Sequence, residues 1–176
     1  TGASGASGAS GTGDTIWGFG NNDTVSGVGS TPSNPQTFSG DNLSISGMSG
    51  FPALIGVIGN GDNLSGGNVG NDTIWSIGDT VSVTDTTPGN LFGEIGSNDT
   101  ITAGPGNDTI WTIGNNEVIN GGAIGGGSDL IGLIGDNSLI QNEGGNDTVY
   151  VSGNNDTIAG GNGNALIEWG GSNHTF

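Results

Sequence analysis

A unit of about 18 residues recurs along most of the chain, and this internal repeat limits the fold more than any other property of the sequence. Asp72-Thr-Ile-Trp-Ser-Ile-Gly78, Asp108-Thr-Ile-Trp-Thr-Ile-Gly114, Asp129-Leu-Ile-Gly-Leu-Ile-Gly135 and Asp147-Thr-Val-Tyr-Val-Ser-Gly153 open the same unit. Divergent copies open at Asp14, Ala53, Asn90 and Ala165, and an eroded ninth starts near Gln36. From Ala53 onward the starts lie 19, 18, 18, 21, 18 and 18 residues apart, the long step being supplied by the glycine-rich insert between Asn120 and Gly127. In most copies a second acidic turn follows nine residues after the first, as in Asp14 and Asp23, Asp99 and Asp108, Asp108 and Glu117, and Asp147 and Asp156. The elementary step is therefore a nonapeptide.

Within the unit the apolar residues form columns. Two residues after the first corner stand Ile16, Phe38, Ile55, Ile74, Phe92, Ile110, Ile131, Val149 and Ile167; five after it stand Phe19, Ile58, Ile77, Ile95, Ile113 and Ile134. In the second half the column reads Val25, Leu64, Val83, Ile101, Ile119, Ile140, Ile158 and Phe176. All three columns are expected to be internal. Short runs rich in Ile, Val and Thr, bounded by Gly, Asn and Asp, read as strands between turns, and no window carries the 3.6-residue spacing of an amphipathic helix. With 30% hydrophobic residues and 40 glycines, only a narrow core is available. The expected fold is all-β: a parallel, β-roll-like β-solenoid of about 18 residues and two short strands per coil, with about nine coils stacked at strand spacing to roughly 43 Å. Residues 1–13 read as a flexible Gly/Ala/Ser arm and 14–176 as one repeat domain.

Charge then narrows the function. The chain has 17 acidic residues, one histidine and no lysine or arginine, for a net charge of −17. Nucleic-acid binding and docking on anionic lipid both need cationic side chains, so both are excluded, and no apolar run is long enough to insert in a membrane. The absence of cysteine removes disulfides and thiolate metal sites. Stacking the coils brings equivalent carboxylates to about 5 Å, where two like charges repel by roughly 3 kcal/mol at an effective dielectric near 20. Several such contacts rival the total stability of a domain, about 5 to 15 kcal/mol. With no basic side chain to offset them, a hard divalent cation is the natural counter-charge, and calcium tolerates irregular oxygen shells better than magnesium. The competing reading is that these residues only favour turns and point into water.

Gly160-Gly-Asn-Gly-Asn-Ala-Leu-Ile-Glu168 fits the nonapeptide G-G-x-G-x-D-x-U-x everywhere except at the Asp, and Gly70-Asn-Asp72-Thr-Ile74, Gly106-Asn-Asp108-Thr-Ile110, Gly127-Ser-Asp129-Leu-Ile131 and Gly145-Asn-Asp147-Thr-Val149 carry that Asp. On these residues the chain from Gly11 onward resembles the RTX, or haemolysin-type calcium-binding, repeat proteins. The resemblance implies calcium held between coils at the first-corner residues Asp14, Asp72, Asp108, Asp129 and Asp147. The second corner, with Asp23, Asp62, Asp99, Glu117 and Asp156, departs from the pattern in all of these but Asp62 by carrying Asn where the family prefers Gly, as in Gly114-Asn-Asn-Glu117. Asn still supports a left-handed turn.

After the first aliphatic column large and small residues alternate: Trp17, Ser39, Gly56, Trp75, Gly93, Trp111, Gly132, Tyr150 and Glu168. The column either faces outward as an aromatic ladder for carbohydrate or a neighbouring fibre, or packs each ring on the glycine of the adjoining coil. Asn-Asp-Thr occurs at Asn22, Asn71, Asn98, Asn107, Asn146 and Asn155, formally glycosylation acceptors, but the repeat alone accounts for them. An ice-binding threonine array is interrupted by Val118, Leu139 and Gln141, and His174 reads as a degenerate corner residue. No acid/base pair or nucleophile constellation is visible, so no enzyme activity is expected. The chain stops on Phe176 in mid-repeat, so either it is a fragment of a longer repeat protein or copies are expected to stack head to tail on the uncovered strand edge. The function expected is a calcium-stabilised extracellular structural protein, a filament or surface-layer or matrix subunit. The competing classes are an adhesin or ice- or carbohydrate-binding module and the repeat tail of a secreted enzyme.

Overall fold

A computed structural model describes residues 17–19, 22, 24–28, 36–47, 52, 54–66, 69–122, 127–142 and 144–176. They form a parallel β-solenoid, and no helix occurs among them. One wall is a nine-stranded sheet made of Trp17–Phe19, Gln36–Ser39, Leu54–Ile58, Thr73–Ile77, Leu91–Ile95, Thr109–Ile113, Leu130–Ile134, Thr148–Asn154 and Leu166–Ser172. The second wall has eight strands: Thr24–Val28, Ser44–Gly47, Asn63–Ser65, Ser82–Thr84, Thr100–Thr102, Val118–Gly121, Leu139–Asn142 and Thr157–Ala159. Beyond the two strands per coil expected, a short third sheet pairs Gly144–Gly145 with Asn162–Gly163. The expected arm, residues 1–13, lies outside the described residues.

The chain forms strands here because Ile, Val and Thr alternate at period two and fit a pleated surface. Inward side chains of the first wall include Ile55, Ile74, Phe92, Ile110, Ile131 and Val149, and those of the second include Ile45, Leu64, Val83, Ile101, Ile119, Ile140 and Ile158; all are buried. Each contributes about 1.5 to 3 kcal/mol by leaving water. The glycine-rich insert does not disturb the stack: Thr109 still pairs with Leu130, and Val118 with Leu139, across the longer step.

The strands correct two columns read from the sequence. Phe38 pairs with Val57 and Ser39 with Ile58, so Thr37, not Ser39, enters the aromatic column beside Gly56. A slip of two residues leaves every side chain on its own face, so the pattern alone does not fix this register. The turn does, because Gly40 donates its N–H to the Ile58 carbonyl and Asn42 to that of Asn60. Second, the column five after the corner is not internal. Ile58, Ile77, Ile95, Ile113 and Ile134 are 43 to 54% exposed. They stand an odd number of positions from the buried column, so the pleat turns them outward.

The aromatic column also faces outward at Trp75, Trp111 and Tyr150, and the two indoles lie on glycine. A methyl group added to Gly56 would meet the Trp75 ring at 2.1 Å, and one added to Gly132 would meet the Trp111 ring at 2.1 Å. Facing outward and packing on the adjoining coil are thus both realised.

One turn type repeats between the walls, as in Ile113-Gly114-Asn115-Asn116-Glu117. At the glycine, coils approach too closely for a side chain: a Cβ on Gly114 would lie 1.4 Å from the Gly96 carbonyl oxygen, and one on Gly135 would lie 1.5 Å from that of Gly114. The next side chain points out and accepts the following coil's backbone N–H; Asn60 bonds to Asp41, Asp79 to Asn60, Ser97 to Asp79 and Asp136 to Asn115. The third residue adopts a left-handed conformation, with φ between 57° and 65° at Asn22, Asn42, Asn98, Asn116, Asn137, Asn155 and Asn173. Asn tolerates that conformation better than other residues with a side chain. The fourth residue, Glu117 in this turn, points inward.

Candidate functional site

Those fourth residues, and their counterparts at the opposite corner, form two ladders of buried side chains along the edges of the core. At each corner the backbone carbonyl bonds to the next coil, as Asp108 does to Leu130, while the N–H is left over. At eight corners the equivalent side chain of the next coil accepts it, whereas the Asp147 N–H goes to the Asn164 carbonyl. In the first ladder the Asp72 N–H donates to Asn90 Oδ1 at 3.0 Å, Asn90 to Asp108 at 2.6 Å, Asp108 to Asp129 at 2.9 Å and Asp129 to Asp147 at 2.9 Å. In the second, Leu43 donates to Asp62 at 2.8 Å, Val81 to Asp99 at 2.7 Å, Glu117 to Ser138 Oγ at 3.1 Å and Ser138 to Asp156 at 2.9 Å.

Eight of the ten residues expected as calcium ligands thus stand in these ladders: Asp72, Asp108, Asp129 and Asp147 in one, Asp62, Asp99, Glu117 and Asp156 in the other, all buried. Asp14 and Asp23 lie outside the described residues. The reading in which the corner carboxylates merely point into water is overturned for these eight. A pleat that keeps Ile74 inward also turns Asp72, two positions earlier, inward.

Asp62, Asp99, Asp108, Asp129, Asp147 and Asp156 each accept a backbone N–H through one oxygen, and the other oxygen frequently has nothing. Oδ2 of Asp62, Asp99, Asp108, Asp129 and Asp156 and both Oε atoms of Glu117 are buried without a hydrogen bond. Asn90 and Ser138 accept the same backbone hydrogen bond with neutral side chains, so capping needs an acceptor and not a charge. Burial consequently pushes the carboxyls up: Glu117 to about 8, with Asp99 adding repulsion, and Asp129 to about 6 despite the hydrogen bond from Asp108. Asp62, Asp99 and Asp108 are also raised by burial. His174 occupies the corner position after Asp156, its Nδ1 3.4 Å from Asp156 Oδ2.

Two buried acids escaped the sequence reading. Glu94 accepts the Ser76 hydroxyl within the core, and burial raises its carboxyl to about 8. Its place two residues after Phe92 was the available signal, since that spacing keeps it on the inward face. Asp85 accepts from Thr87, and burial together with Asp72 beside it raises it to about 7. A methyl group on Gly66 would lie 1.7 Å from Asp85 Oδ2 and 2.6 Å from an Asp72 oxygen, so the two acids converge beneath that glycine. No period marks Asp85, because no other described coil carries an acid at that place.

The unpaired, hard oxygens suit calcium in kind. Among the described residues no three acidic or histidine side chains gather around one point. An ion in a ladder would therefore take at most two carboxylates and complete its shell with backbone carbonyls and water. No protein-family model matches the chain, and neither curated proteins nor solved structures show a match, so the likeness to RTX repeats rests on the motif residues alone.

Proposed function

We propose that the chain is a calcium-stabilised extracellular structural protein, a scaffold of the filament, surface-layer or matrix kind. The observation that carries this reading is the unpaired carboxylate oxygen left in coil after coil inside a chain without lysine or arginine. Pairs of successive acids, Asp108 with Asp129, Asp129 with Asp147, and Asp99 with Glu117, would hold the ions. Calcium supplies the positive charge that these pairs otherwise obtain only by protonation. Millimolar calcium outside cells fills weak sites of this kind, which favours an extracellular setting. End-to-end stacking of copies belongs to the same reading, since every coil already joins its neighbours through backbone hydrogen bonds.

A binding module is the competing class, and the outward indoles favour it. Trp75 and Trp111 wall a cleft of about 260 Å³ over Gly93. Its polar side chains, Ser76 and Glu94, are buried, so the hydroxyls of a sugar would find few partners there. Equilibrium dialysis against calcium, followed by electron microscopy with and without chelator, separates the classes. Several bound ions per chain and ordered assemblies that disperse in chelator are expected; a chain that binds no calcium at millimolar concentration would refute the proposal.

A further inference from the structure

We propose that the outward face of the nine-stranded wall is a docking surface for the same face of a second copy. On a chain of net charge −17, the outward positions from Leu54 to Ser152 carry no charged residue. They read Leu54, Gly56 and Ile58; Thr73, Trp75 and Ile77; Leu91, Gly93 and Ile95; Thr109, Trp111 and Ile113; Leu130, Gly132 and Ile134; Thr148, Tyr150 and Ser152. The isoleucine row, Leu91 and Trp111 are exposed. An uncharged face with an exposed apolar row of this kind marks an interaction site.

Shape and charge select the occupant. Aromatic ridges at Trp75, Trp111 and Tyr150 recur at every second strand, about 9.6 Å apart, with glycine between them. Because Trp75 lies on Gly56 and Trp111 on Gly132, the space over Gly93 stays open as the cleft between the two indoles. A second copy turned face to face seats one of its indoles in this cleft and receives an indole of this copy in its own. A cationic partner would instead seek the turn carboxylates Asp41, Asp79 and Asp136 and leave the apolar face uncovered. Six strands of five residues present a flat area of roughly 480 Å² per partner, below the size of a stable interface, so the pairing is weak and depends on concentration. Salt strengthens it by screening the two polyanions from each other.

The pairing does not rest on calcium, and its test is run in EDTA at about pH 5, where protonation relieves the ladders. Sedimentation equilibrium of the full chain from about 1 to about 200 µM should show reversible association that rises with salt. Exchanging Ile95→Ser and Ile113→Ser together should weaken it about tenfold or more, while Val118→Ser with Leu139→Ser on the opposite wall leaves it unchanged. Circular dichroism checks that each variant folds. As a measurement that needs no variant, wild-type tryptophan emission should shift to the blue as concentration rises. A wild type that stays monomeric, an association indifferent to the isoleucine exchange, or an emission shift only when a soluble glucan or lipid vesicle is added would each overturn the proposal.

Discussion

Asp108 combines two demands that pull in opposite directions. Its Oδ1 takes the Asn90 N–H at 2.6 Å, whereas its Oδ2 is buried with no partner. Asp108→Asn keeps an acceptor and removes the buried charge, as Asn90 does one coil earlier. Above pH 8 and without calcium this substitution should raise the melting temperature. Asp108→Ala should lower it at every pH, because a buried N–H left unpaired costs about 1 to 3 kcal/mol. For a chain of this size each kcal/mol moves the midpoint by roughly 2 to 4 °C, which thermal melts followed by circular dichroism resolve. If Asp108 holds calcium, saturating calcium should reverse the order of wild type and the Asn variant. The identity of the acids was legible in the repeat, but their hydrogen bonds were not: a spacing of 18 shows that Asp108 and Asn90 are stacked, not that one caps the other.

At the scale of the turn and strand, the two kinds of glycine contact separate cleanly. Gly114→Ala would place a methyl group against the backbone oxygen of Gly96, and neither group can move without parting the coils. The expected loss is several kcal/mol, with broadened unfolding. Gly132→Ala meets only the Trp111 ring, which is 47% exposed and can swing outward. Its cost should stay below about 2 kcal/mol and be accompanied by a red shift in tryptophan emission. Urea titration read by both probes distinguishes the two. The repeat length and the two principal strands of each coil could be read before the structure because both depend on period alone, whereas the burial of the corner columns and the short third sheet could not. The exposed isoleucine row was misplaced through parity, and Phe38 by two positions, because its coil lacks an acidic first corner to count from.

Across the whole molecule, the buried acids make stability depend on pH in the direction opposite to ordinary acid denaturation. Glu94 and Glu117 titrate near 8 in the folded chain and Asp85 near 7, against ordinary values of 4.5 and 3.8. The folded state therefore binds more protons than the unfolded chain between about pH 4 and pH 8, and stability falls as pH rises through that window. The stabilisation is fully present below the ordinary carboxyl range and is lost once the folded groups ionise. A cation that offsets the same charges replaces the proton, so pH and calcium act on one quantity. The most direct measurement is a set of thermal melts at about pH 5 and about pH 9, each in EDTA and in excess calcium. A midpoint lower by roughly 10 °C or more at the higher pH in EDTA, restored by calcium there and little changed by calcium at the lower pH, is the expected result. Equal midpoints in EDTA at both pH values would contradict a core whose stacked carboxylates must be neutralised.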